Sequence, residues 1–158
     1  MVSTDLCARL AQLLVSRGWT LATAESCTGG MIAAACTELS GSSVWFERGF
    51  VTYSNAAKTE CLGVCAALVQ QHGAVSEAVV RAMARGAITH SRAEVSIAVT
   101  GVAGPTGGSA EKPVGTVWFG WSVHGQVATE LQRFTGDRAA IRAATVEHAI
   151  QLLLHDLT

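Results

Sequence analysis

Charged side chains are scarce in this 158-residue chain, at 15% of its residues, and they nearly cancel to a net charge of −1. Without a basic excess there is no face for a phosphodiester backbone, so no nucleic-acid polymer is expected as a partner. A small anion held by a few placed groups is still allowed. Long apolar runs are also missing. Hydrophobic residues reach 49%, yet no stretch attains the ~18–20 residues that span a bilayer, and no membrane partner is expected. Polar Ser3, Thr4 and Asp5 stand where a signal peptide needs its apolar run, so a cytoplasmic location is expected. The five cysteines are odd in number and lack a secretory pattern, which argues against a disulfide framework. Cys61 and Cys65 lie four apart, but no second Cys/His pair completes a zinc spacing; their plainer reading is as small buried hydrophobes. His72, His90, His124, His148 and His155 pair with nothing at a useful spacing. No metal and no cofactor is expected.

What remains is an apolar-rich chain of single-domain length, with no linker, repeat or charge block to divide residues 1–158. Ser3 can cap a helix with Leu6, Leu10, Leu13 and Leu14 on one face, ending near Gly18. The segment 19–24 reads as a strand, 28–39 as a helix and 45–52 as a second strand rich in aromatic and β-branched residues. Two helical stretches follow, near 58–69 and 76–90, the second capped by Ser76. The strand at 94–100 is apolar or small on both faces, which suits a central position. Residues 115–123 and 126–134 read as a hairpin turned at His124-Gly125, with the second strand at an edge. A last helix covers 137–154. This order predicts an α/β fold, three layers deep, with helices on both faces of a mixed, mostly parallel five-stranded sheet.

Four segments carry chemistry-bearing residues. In Ala24-Glu25-Ser26-Cys27-Thr28-Gly29-Gly30 a strand turns into a helix, placing Ser26 beside free backbone N–H groups that suit an oxyanion or phosphate. Gly29 and Gly30 permit close approach of a ligand. The spacing is not G-x-S-x-G, and taken alone Ser26 or Thr28 is most simply a helix cap. The second segment ends a strand at Tyr53, the only tyrosine, with Lys58 five residues later near a helix start. Burial and the helix macrodipole there would lower the lysine's pKa and supply a neutral amine able to deprotonate a serine; a surface lysine beside a core tyrosine is the plainer alternative. The third is Thr100-Gly101-Val102-Ala103-Gly104-Pro105-Thr106-Gly107-Gly108, neither a P-loop nor a Rossmann fingerprint, yet exposing enough backbone to wall a nucleotide, with a flexible surface loop as the plainer alternative. The fourth places Arg138 and Arg142 on one face of a helix's first turns, where positive charge is disfavoured and a bound phosphate or carboxylate would explain it; solvated charge behind an Asp137 N-cap is the equal alternative.

Taken in order, TAESCTGG, GFVTYSNAAK, AVSEAVVRAMARGA, AVTGVAGPTGGSAEKPVGTVWFG and the closing GDR resemble the CinA C-terminal domain family over nearly the whole chain. The resemblance implies a three-layer α/β/α fold and hydrolysis of the carboxamide of nicotinamide mononucleotide to nicotinate mononucleotide and ammonia, in pyridine-nucleotide salvage. It puts the catalytic serine, tyrosine and lysine at Ser26, Tyr53 and Lys58. It puts substrate contacts at Thr28, Gly29, Gly30, Thr100, Gly101, Gly104, Gly107 and Gly108, with the family's late arginine at Arg138 or Arg142. The expected partners are a small nucleotide substrate and further copies of the chain in a homo-oligomer. Two rival readings stay open: a Ser–Lys amidase for another amide, and a non-catalytic nucleotide- or partner-binding module of the same fold.

Overall fold

A computed structural model describes residues 3–158. The elements run α1 (Thr4–Arg17), β1 (Leu21–Glu25), α2 (Met31–Thr37), β2 (Phe46–Val51), α3 (Asn55–Leu62), α4 (Ala66–His72), α5 (Glu77–Thr89), β3 (Val95–Gly101), β4 (Thr116–Val123), β5 (Gln126–Arg133) and α6 (Arg138–Leu157). The five strands form one sheet in the order β2-β1-β3-β4-β5. β1 pairs in parallel with β2 and β3, while β4 pairs antiparallel with β3 and β5, so β4 alone points the other way. The sheet is mixed and mostly parallel, as expected.

Side-chain alternation sorts the two faces. Leu21, Val95, Ile97, Val99, Val117 and Phe119 pack under α1, α2 and α6, whereas Ala22, Ala24 and Ala98 pack under α5. The second face is lined by small side chains because α5 lies close against it. Ser96 donates to the Ala84 carbonyl at 2.8 Å from within that face. Gly86 shows the same closeness between helices: a methyl there would overlap the carbonyl of Leu62 at the end of α3. Gly86→Ala is therefore expected to cost about 1–3 kcal/mol of stability, read as a lower urea midpoint with an unchanged slope.

The expected elements are present, with shifted boundaries where glycine intervenes. The helix expected from residue 28 begins at Met31, since Gly29 and Gly30 take φ of 58° and 103°, values no helix accommodates. The stretch near 58–69 is two helices instead of one: Ser54 caps α3 upstream through Ala57, and Gly63 stops it in the left-handed region. That break leaves Cys61 and Cys65 exposed, against the expectation of burial, because each lies on the outer side of its helix end. His124 and Gly125 both take positive φ, the geometry of the two-residue hairpin.

Topology decides where the chemistry sits. β1, β2, β3 and β5 all run the same way, so their C-terminal ends share one edge of the sheet. The Ser26 segment follows β1, Tyr53 and Lys58 follow β2, the glycine-rich loop follows β3, and the arginines of α6 follow β5. The crossover from β2 to β3 passes over β1, making the ends of β1 and β3 the switch point at which open α/β sheets bind ligands.

Candidate active site

Glu25 ends β1 with its carboxylate completely buried. It accepts from the Thr28 hydroxyl at 2.6 Å, from Ile32 N–H at 2.9 Å and from Ala33 N–H at 3.0 Å. A carboxylate thus caps α2 from outside the helix, complementing its N-terminal dipole. The turn in front of α2 is held independently. Ser26 N–H donates to Val99 and Gly29 N–H to the Ser26 carbonyl, each at 3.1 Å. The N–H groups of Cys27, Thr28 and Gly30 have no acceptor in another residue among the described residues, that of Cys27 meeting only its own thiol. These three, rather than the amides of α2 that Glu25 occupies, are the donors left for a ligand beside Ser26.

Lys58, the fourth residue of α3, is 1% exposed. Its Nζ lies 3.0 Å from Ser26 Oγ, 2.8 Å from the Thr52 carbonyl and 3.2 Å from the Tyr53 carbonyl. No carboxylate pairs with it among the described residues. Burial holds its ammonium below the usual lysine range. All three partners are oxygens that accept from Nζ, and once the amine is neutral the Ser26 hydroxyl can turn to donate to its lone pair. Ser26 itself is half-buried, so a substrate can reach the pair from outside. Cys27, next in sequence, is buried and its thiol is pushed up to about 11, mainly by burial, which leaves it inert.

Tyr53 touches Lys58 only through its main-chain carbonyl. The residue is 60% exposed and its hydroxyl accepts from Arg138 Nη2 at 3.1 Å. Tyr53→Phe keeps the carbonyl, so kcat for amide hydrolysis should fall by less than about tenfold; a loss near that of removing Lys58 would instead assign a proton relay to the phenol. Thr100 is buried and its hydroxyl donates to the Ala74 carbonyl at 3.0 Å, tying β3 to the start of α5. The Thr28 hydroxyl is likewise committed, to Glu25. Gly101 packs where any side chain would strike Val117 and the Thr116 carbonyl. Gly104, Gly107 and Gly108 take positive φ in the loop after β3, and Arg138 Nη1 of α6 donates to the Gly104 carbonyl at 2.8 Å. Beside this contact lies a cavity of about 460 Å³ lined by Ala103, Pro105, Val114 and residues 136–139.

The two arginines are now distinguishable. Arg138 is exposed and bridges the glycine-rich loop to Tyr53. Arg142 is half-buried, its Nε donating to the Cys27 carbonyl at 3.1 Å and its Nη2 to the Thr28 carbonyl at 3.3 Å. Neither pairs with a carboxylate among the described residues, and the N-cap of α6 is Asp137, committed to Ala140 N–H at 2.9 Å. Both positive charges are left uncompensated beside the serine. Two features escaped the sequence reading. The capping role of Glu25 had a faint signal, an acid at the end of an apolar strand with threonine three residues on; the hold of Arg142 on the turn had none.

The sequence pattern of the CinA C-terminal domain matches residues 3–157. The chain belongs to the CinA C-terminal domain family. Within that family it is similar to the nicotinamide-nucleotide amidohydrolase PncC of Enterobacter agglomerans, at 52% identity over 153 residues covering 96% of this chain and 93% of that one. The protein of the same name from Pseudomonas putida is 54% identical over 151 residues, covering 96% and 94%. The crystal structure of a competence-damaged protein (CinA) superfamily member from Klebsiella pneumoniae superposes with a TM-score of 0.94 at 44% identity, covering 98% of this chain and 96% of that one. The three-layer fold is thus that of the CinA superfamily. No helix among the described residues is long and apolar enough to cross a membrane.

Proposed function

We propose that this CinA-family chain is a nicotinamide-nucleotide amidase that converts nicotinamide mononucleotide to nicotinate mononucleotide and ammonia, in pyridine-nucleotide salvage. The observation that carries the chemistry is the 3.0 Å contact between Ser26 Oγ and a buried lysine amine that no acid neutralises. Lys58 takes the Ser26 proton as Oγ attacks the carboxamide carbon. The tetrahedral oxyanion is received by free N–H groups of the turn, each such donor worth about 3–4 kcal/mol in a hydrolase site. The lysine then returns the proton to the leaving nitrogen, ammonia departs, and water, deprotonated by the same amine, cleaves the acyl–serine ester. Carboxamide and water thus become carboxylic acid and ammonia with no other reactant.

The substrate reading rests on the names of relatives above half identity together with the uncompensated positive charge at the mouth. Arg138, the glycine-rich loop from Thr100 to Gly108 and the backbone at Thr28, Gly29 and Gly30 form the proposed substrate contacts, most of them through main-chain groups. Ammonia release from a panel of nicotinamide mononucleotide, its unphosphorylated riboside, free nicotinamide and glutamine tests this reading. The mononucleotide should be turned over and the riboside much more slowly. Preference for another amide would replace the substrate, and tight binding of the mononucleotide without turnover would make the chain a binding module.

A further inference from the structure

Arg142 is half-buried with its guanidinium on main-chain carbonyls, and what it holds is the turn that carries the free amides. In a trans peptide the carbonyl and the following N–H point in opposite directions. A guanidinium drawing the Cys27 carbonyl toward α6 at 3.1 Å therefore turns the Thr28 N–H away from α6. The Ser26 carbonyl is taken by Gly29 N–H, which turns the Cys27 N–H outward in the same manner. Glu25 grips the Thr28 hydroxyl and the Ile32 and Ala33 amides of α2. The turn is thus held by both a buried carboxylate and a half-buried guanidinium, and its two successive N–H groups are left without an acceptor in another residue. A charged donor on a carbonyl also polarises its peptide unit and strengthens the N–H on the far side.

We propose that Arg142 is a positioning residue for the oxyanion donors, aiming the Cys27 and Thr28 N–H groups at the reacting carbonyl and leaving the substrate's anionic group to Arg138. The proposal rests on the reading of Ser26 as nucleophile. It separates two arginines that sequence spacing alone leaves equivalent.

The test uses the full chain and a small alkyl fluorophosphonate, which carries no nucleotide. Ser26 Oγ bonds to phosphorus, fluoride leaves, Lys58 takes the proton, and the phosphoryl oxygen needs the same amides. Wild-type protein should be labelled at Ser26, found by peptide mass. Arg142→Ala should be labelled about 10²–10³-fold more slowly, with added guanidinium ion recovering at least a tenth of the loss. Arg142→Lys, which retains charge and a single donor direction, should fall between. With nicotinamide mononucleotide, Arg142→Ala should lose kcat and keep KM within about threefold. Equal labelling of wild type and Arg142→Ala, or a loss confined to KM, overturns the positioning role while the nucleophile stands. Absence of Ser26 labelling in the wild type overturns the nucleophile reading itself.

Discussion

Lys58→Met should reduce kcat/KM for nicotinamide mononucleotide by about 10²–10⁴-fold, the usual contribution of a positioned general base. The substitution removes the one side chain hydrogen-bonded to Ser26 Oγ among the described residues, a group that can accept its proton. It also carries a pH signature with a determined sign. Burial holds the folded-state pKa of Lys58 below its unfolded value. Activity needs the free amine, so kcat/KM should climb as pH rises through the lowered folded pKa and level off above it. Stability follows the same window. Between the folded and unfolded pKa values the unfolded chain holds a proton that the folded chain has released, so wild-type stability increases with pH there. Below the folded pKa both states are protonated, and the penalty for burying the charge is fully present. In Lys58→Met this pH-dependent rise should vanish, which urea titrations at several pH values measure directly. Lys58→Arg offers a stricter comparison, since it keeps charge but supplies no neutral base; activity equal to wild type would reduce Lys58 to an electrostatic role.

Ser26→Ala should cost at least as much as the loss of Lys58, because without the hydroxyl no acyl-enzyme forms and the lysine has nothing to activate. Residues that act as one unit are strongly non-additive. The double variant Ser26→Ala, Lys58→Met should therefore be no slower than Ser26→Ala alone within about threefold. Multiplicative losses would mean that the two side chains act in separate steps. Binding should survive, since the proposed substrate contacts are main-chain groups and Arg138. Calorimetry with nicotinate mononucleotide should give Ser26→Ala a Kd within about fivefold of wild type. A large loss of affinity would make Ser26 a ligand-binding group.

Much of this architecture was legible because local patterns agree with the tertiary result. The Ser76 cap, the His124-Gly125 turn and the two-sided apolar run of β3 each have a short-range cause, and each stands where expected. The misreadings share a different cause. Apolar periodicity carries on through Gly29-Gly30 and across Gly63, where a backbone twist ends or delays the helix; the same twist decides that Cys61 and Cys65 face outward. At the site, Ser26 and Lys58 could be named from their segments, but their contact spans 32 positions and is made by the parallel pairing of β1 with β2. The roles of Glu25 and Arg142 were hidden more deeply. An acid beside a serine gives no sign of capping until α2 is seen to present its Ile32 and Ala33 amides to it. Arg142 reaches 115 positions back along the chain, a distance no spacing rule anticipates. Tyr53 is the instructive intermediate: its carbonyl, not its phenol, meets the lysine.

The central claim is that the nicotinoyl group passes through an ester on Ser26, and hydroxylamine partitioning tests it most directly. With nicotinamide mononucleotide as substrate and hydroxylamine added, a shared acyl-enzyme is divided between water and the added nucleophile. Wild-type protein should yield the hydroxamate of nicotinate mononucleotide in a proportion that rises with hydroxylamine, without any slowing of ammonia release, and Ser26→Ala should yield none. Hydroxamate formation by Ser26→Ala at the wild-type rate, or ammonia release by wild type that gives carboxylate alone at every hydroxylamine concentration, would contradict it.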